Sequence, residues 1–123
     1  MTVVEQTAEN TTQRPVHTRA LIIGTGFSGL GMAIELQKRN VDFLILEKAD
    51  EIGGTWRDNT YPGCACDIPS HMYSFSFEPK PDWTHMWSFQ PEIQEYLLGV
   101  TAKYGLRRYI EFGAHVDRAI WDD

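Results

Sequence analysis

The sequence is short of positive charge, of cysteine and of long apolar runs, and each shortage closes a class of function. Its 11 basic residues are outnumbered by 17 acidic ones, for a formal net charge of −6. No basic stripe exists to neutralise a nucleic-acid backbone, so nucleic acid is excluded as an expected partner. The acidic surplus does not exclude a phosphate ligand, because free N–H groups at a helix start bind one without lysine or arginine. The two cysteines, Cys64 and Cys66, stand one residue apart, where a bridge would be strained, and a secreted disulfide framework needs more pairs. No second Cys/His cluster completes a zinc site. Both are read as reduced thiols, and no metal is expected. Residues 1–18 are rich in Thr, Gln, Glu and Asn and lack the apolar centre of a secretory signal. No run approaches the roughly 20 apolar residues of a membrane helix. A flexible polar head, no membrane contact and a cytoplasmic location follow as defaults.

What is present fits one domain. The 123 residues are 42% hydrophobic and 23% charged, ordinary values for a globular protein of single-domain length. Ala20-Leu21-Ile22-Ile23 is a short continuous apolar run, as expected for a parallel strand buried on both faces. The turn Gly24-Thr25-Gly26-Phe27-Ser28-Gly29 follows at once. Phe27, Leu30, Ala33 and Ile34 then recur on one helical face, with Asn40 as a stop. Phe43-Leu44-Ile45-Leu46 is a second apolar run, ending in Glu47. The unit is strand–helix–strand.

Regular periodicity disappears over residues 48–69, where Gly53-Gly54, Tyr61-Pro62-Gly63 and Pro69 favour turns. A loop this long inside a compact domain is usually functional. Residues 71–89 are dense in aromatics and interrupted by Pro79 and Pro81, which predicts short turns and extended pieces forming core or a cover over the loop. A helix is predicted from Pro91, with Ile93, Leu97, Val100 and Tyr104 buried and Gly105 as its cap. Residues 109–112 and 116–121 read as strands.

Glycine is common, so GxGxxG means little by itself. Here it follows an apolar strand, opens an amphipathic helix and is answered by Glu47, about 20 residues on. Gly24 permits the tight turn, Gly26 lets the backbone approach a pyrophosphate, and Gly29 lets the helix pack closely on the strand. Phe27 and Ser28 complete the phosphate-binding turn. Glu47, with Lys48 beside it, would accept hydrogen bonds from adenosine ribose hydroxyls. A carboxylate there repels a 2′-phosphate, which favours FAD or NAD over NADP.

Beyond Glu47 the sequence becomes more specific. The Gly53-Gly54 turn, the run GTWRDNTYPGCACDIPS over residues 54–70 and HMYSFSF after it resemble the Baeyer–Villiger monooxygenases, within the flavin-containing monooxygenase group. The resemblance implies an α/β, Rossmann-like FAD/NAD(P)-binding domain, three-layered with a mainly parallel sheet and incomplete, over residues 19–123. It implies FAD as cofactor and NADPH as co-substrate: NADPH reduces the flavin and oxygen then oxidises a ketone. By the same resemblance Glu47 matches the FAD ribose ligand, and Thr55 and Trp56 the segment along the flavin, with the cofactor-binding Gly54 just before them. Asp67 matches the acid beside the isoalloxazine and the one catalytic candidate. Tyr73 matches a flavin-pocket residue, Val116 a backbone contact to adenine, and Ala65, Cys66 and Asp67 the border of the nicotinamide. Read without that run, Trp56 is core filling and Asp67 a turn cap.

The family's second GxGxxG, its FxGxxxHxxxW stretch and its distal arginine are missing from these residues. The expectation is a truncated FAD-binding portion with an unpaired sheet edge, marginally stable and inactive alone, or in need of a C-terminal partner chain. The alternatives are part of an N- or S-oxidising flavin monooxygenase acting on a heteroatom, and a non-catalytic nucleotide-binding module.

Overall fold

The computed structural model describes residues 16–122; most of the polar head of residues 1–18 lies outside the described residues. Strand β1 (Ala20–Ile23) leads through the glycine turn into helix α1 (Phe27–Lys38), which crosses back to β2 (Phe43–Glu47). The two strands are parallel, with Ala20 opposite Phe43 and Ile23 opposite Leu46. Helix α1 ends where Asn40 takes the left-handed conformation, φ 53°, and the Val41 N–H returns to the Leu36 carbonyl, a closure that satisfies the last carbonyls. Strand β3 (Ile110–Phe112) joins the other side of β2, also parallel, and gives the sheet order β1-β2-β3.

The core lies between one face of this sheet and two helices. Ile22, Phe43 and Ile45 meet Leu30, Ala33 and Ile34 of α1, and Ile93, Leu97 and Val100 of α3 (Gln90–Lys103). Each large apolar side chain so buried contributes roughly 1.5–3 kcal/mol. Pro91 falls in the first turn of α3, and Gly105 follows the helix in the left-handed region, φ 62°. The predicted stripe omits Tyr96 and Thr101, which are buried too. Tyr104 is only half-buried.

The parallel sheet with its helical crossover is the Rossmann-like fold expected. Among the described residues its helices cover one face. Burial on both faces fails for β1: Ile22 is buried, but Ile23 is 60% exposed and Leu21 half-buried. Alternation describes this strand better than the continuous run suggested. A second correction concerns residues 116–121, predicted as a strand. They have no regular structure and, among the described residues, no sheet neighbour, and Ile120 and Trp121 are exposed. After β3 the chain turns at Gly113 (φ 68°), and the pairing ends where the Ala114 N–H meets the Glu47 carbonyl.

The loop of residues 48–69 contains one helical turn, α2 (Thr55–Asp58). The aromatic stretch after it is built as expected from a 3-10 turn (Ser70–Met72) and isolated bridges, Ala65 to Phe89 and Phe75 to Glu78. Phe27 at the start of α1 sits 5.1 Å from the Tyr73 ring and 5.2 Å from Phe75. These aromatics close the gap between α1 and α3. A further 3-10 turn (Leu106–Tyr109) takes the first residue of the strand predicted over 109–112.

Candidate functional site

The site grows from the turn that joins β1 to α1. Gly24 has φ 90°, a conformation glycine adopts freely and other residues rarely do. Its N–H is held by the Leu46 carbonyl at 2.8 Å. A Cβ on Gly29 would lie 2.1 Å from the Gly24 oxygen and 3.3 Å from Ile22 Cγ2, so only glycine allows α1 to press against β1. A Cβ on Gly26 would meet nothing within 4 Å: the space in front of it is open. No side chain caps α1 and no acidic residue occupies its first turn. Its leading N–H groups are left for an anion, which the helix dipole favours.

Glu47 ends β2 and turns back to this loop. Its side chain is 3% exposed, which would be costly for a lone carboxylate. It is not alone. Oε2 accepts the Thr25 backbone N–H at 2.9 Å and the Thr25 hydroxyl at 2.5 Å. Oε1 accepts the Ala49 N–H at 3.0 Å and faces Arg57 Nη1 at 3.1 Å. Burial pushes the carboxyl up, but the Thr25 hydroxyl, the N–H groups of Ala49 and Thr25, and Arg57 outweigh it and hold Glu47 below the usual carboxylate range. It is ionised at neutral pH.

The Gly53-Gly54 turn docks on the glycine loop. The Gly53 N–H donates to the Thr25 carbonyl at 3.0 Å, and a Cβ on Gly54 (φ 55°) would sit 3.2 Å from Gly26 Cα. Helix α2 follows, and α3 buttresses it. Gln94 donates to the Ile52 carbonyl at 2.8 Å, and Gln90 donates to the Trp56 carbonyl.

Gly24, Gly26, Glu47, Lys48, Gly54, Thr55 and Val116 line one cleft of about 290 Å³. That volume is near the lower end for small-molecule sites and suits part of a dinucleotide. The other predicted residues lie elsewhere. Trp56 is buried in the core, its indole N–H donating to the Tyr73 hydroxyl at 3.0 Å. Burial, aided by Cys66 and Asp67 and opposed by that indole, pushes the Tyr73 phenol up. Cys66 is a buried free thiol, whereas Ala65 and Asp67 are exposed. Phe27 and Ser28 face a separate groove of about 600 Å³ along the outer side of α1. Sequence reasoning missed Thr25, Arg57, Gln90 and Gln94. Thr25 stands inside the glycine motif and Arg57 inside the run over residues 54–70, which were signals; Gln90 and Gln94 carried none.

Among the described residues no helix is long and apolar enough to cross a membrane, and no cluster of His, Cys, Asp and Glu is placed to hold a metal.

Residues 22–89 match the family described as NAD(P)-binding Rossmann-like domain. The chain is 51% identical over 107 residues to a Baeyer–Villiger monooxygenase of Streptomyces coelicolor, an alignment covering 86% of this chain and 21% of that protein. It is 54% identical over 108 residues to a Baeyer–Villiger monooxygenase of Pseudomonas aeruginosa, covering 87% of this chain and 20% of that one. The open crystal structure of cyclohexanone monooxygenase superposes with a TM-score of 0.74 at 39% identity, over 78% of this chain and 20% of that one. An oxidised steroid monooxygenase bound to NADP gives 0.73 at 35% identity, over 76% and 19%. The resemblance read from residues 53–77 therefore extends over most of this chain, which spans about a fifth of the length of the curated relatives it matches.

Proposed function

Because this chain belongs to the NAD(P)-binding Rossmann-like domain family, we propose that it binds FAD, as the FAD-binding portion of a Baeyer–Villiger-type monooxygenase. The observation that carries the reading is the pairing of an open glycine turn with a buried, ionised carboxylate beside it in one cleft. The donor set fits the cofactor. Bare N–H groups at the start of α1 take the pyrophosphate, and the space before Gly26 is open for it. Glu47 accepts from the adenosine ribose hydroxyls, and the backbone near Val116 borders the adenine. Thr55 and Trp56 run on toward the isoalloxazine, with Tyr73, Ala65, Cys66 and Asp67 at its far end.

When bound, FAD supplies electron transfer from NADPH to oxygen, by which a ketone is oxygenated. This chain's residues bind and orient. Trp56 and Tyr73, joined by their hydrogen bond, form an apolar wall that excludes water from one side. Asp67 positions the nicotinamide side, as the one acid there. The ketone and NADPH are the small-molecule partners, and the setting is the cytoplasm, where Cys64 and Cys66 stay reduced.

The test is an absorbance spectrum of the purified chain followed by an FAD titration. Bound flavin that is lost in Gly26→Val and in Glu47→Ala supports the reading. Gly26→Val is informative because its Cβ meets no protein atom, so it should fold and lose only the ligand. A folded chain that binds no flavin overturns it.

A further inference from the structure

Arg57 belongs to none of the motifs that mark the glycine turn, yet it touches three parts of the site. Nη1 lies 3.1 Å from Glu47 Oε1 and donates to the Glu51 carbonyl at 2.7 Å. Nε and Nη2 grip the two Asp58 oxygens at 2.8 and 3.1 Å. The arginine side chain is 14% exposed and Glu47 3% exposed, whereas Asp58 is 54% exposed. The two-pronged pair with Asp58 opens to solvent and is screened by salt, whereas the inward contact with Glu47 is sheltered from water. Three of the four donors to Glu47 come from Thr25 and Ala49, at the ends of the two strands. Arg57 is the fourth, the one that carries charge and the one that comes from α2.

We propose that Arg57 is the positioning residue of the ribose grip: its guanidinium fixes the Glu47 carboxylate and fastens helix α2 to it, so that adenosine recognition and the placement of Thr55 and Trp56 are set together. The inference rests on the FAD reading above. A planar fork suits the task because it reaches a carboxylate and a backbone carbonyl at once, which a lysine ammonium on one stem does less well. Arg57 also sustains the charge of Glu47 in a nearly closed site. The other charged or titratable groups there are Lys48 beside Glu47, Asp58 behind Arg57 and His115 across the cleft. None of these three is hydrogen-bonded or ion-paired to the carboxylate.

The test uses the whole 123-residue chain, with FAD followed by fluorescence quenching and with ADP and 2′-deoxy-ADP as competitors. In Arg57→Met, FAD affinity should fall about tenfold, the size of one charge-assisted contact. The preference for ADP over its 2′-deoxy analogue should collapse toward one, and the acid limb of FAD binding should move to higher pH. Arg57→Lys should keep part of the preference; it also decides the matter if the methionine variant does not fold. Unchanged affinity and preference in both variants overturn the inference and leave the FAD reading standing. So does an equal loss for ADP and 2′-deoxy-ADP with the acid limb unmoved, which marks a merely structural arginine. A wild-type chain that binds no FAD overturns the reading and the inference together.

Discussion

Glu47 and Asp67 are two acids assigned by sequence to one ligand, and they live in opposite surroundings. Glu47 is shut in, met by Thr25, Ala49 and Arg57, and held ionised by them. Asp67 is exposed, and among the described residues no hydrogen bond or ion pair of its side chain ties it down. The difference teaches how the work is divided. A group that must recognise ribose hydroxyls gains from being fixed before the ligand arrives. An acid proposed to meet a mobile co-substrate has no such need, and among the described residues nothing pre-sets its position. The proposed adenosine end is thus built by local strand ends and one helical turn, while the proposed flavin end is a wall of packed aromatics with a solvated acid at its edge.

The contrast can be broken at its foundation first. Gly29→Val drives a side chain into the Gly24 carbonyl and should destabilise the chain by about 3 kcal/mol or more, read as a collapse of the melting transition. Next, Glu47→Ala leaves Arg57 and two N–H groups facing an empty space. Removing one partner of a buried ion pair costs about 3 kcal/mol, and FAD binding should be lost with it, measured by melting and titration side by side. A milder probe is pH. The Glu47 carboxyl is depressed from its ordinary 4.5, so its stabilisation is present above that value and disappears as pH falls through the lower, folded value. Wild type should therefore lose stability below about pH 4.5 along a limb that is shallower in Glu47→Gln, followed by denaturant melts across the acid range. The smallest effect is expected at the other acid. Asp67→Asn should shift stability by no more than ~0.5 kcal/mol and leave FAD affinity within about twofold, since no hydrogen bond or ion pair among the described residues is removed; a large loss in either would erase the distinction.

The part of the fold legible in the sequence is the part held by neighbours along the chain. β1, α1 and β2 carry apolar periodicity, and the glycines between them are required by contacts a few residues away, such as Gly29 against Gly24. Glu47 was legible because its distance from the turn is set by one crossover. Its partners Thr25 and Arg57 lay inside quoted motifs, but nothing in the sequence paired them with it. Arg57 reaches Glu47 only after the Gly53-Gly54 turn has folded back on Thr25. Gln90 and Gln94 reach the carbonyls of Trp56 and Ile52 from a helix dozens of residues away, and polar residues on a helix ordinarily face water. The misread strand over 116–121 has the reverse cause: its mix of Val, Ala, Ile and Trp resembles a strand, but strands exist only with a neighbour to bond.

The two-stranded clasp at Ala65 and Phe89 has a consequence of its own. The Cys66 N–H meets the Ser88 carbonyl at 2.9 Å, the Gln90 N–H meets the Cys64 carbonyl at 2.9 Å, and Ser70 binds back to Met86 at 2.7 Å. Everything between is a closed loop whose base is sewn shut on the side of α2. Lengthening such a loop at its far end costs only the logarithm of its size, about 0.6 kcal/mol for each doubling. The exposed tip around Pro81 and Asp82 is therefore the place where this architecture can accept inserted segments, and so acquire new neighbours over evolutionary time, while the Tyr73 and Phe75 rings stay packed on Phe27.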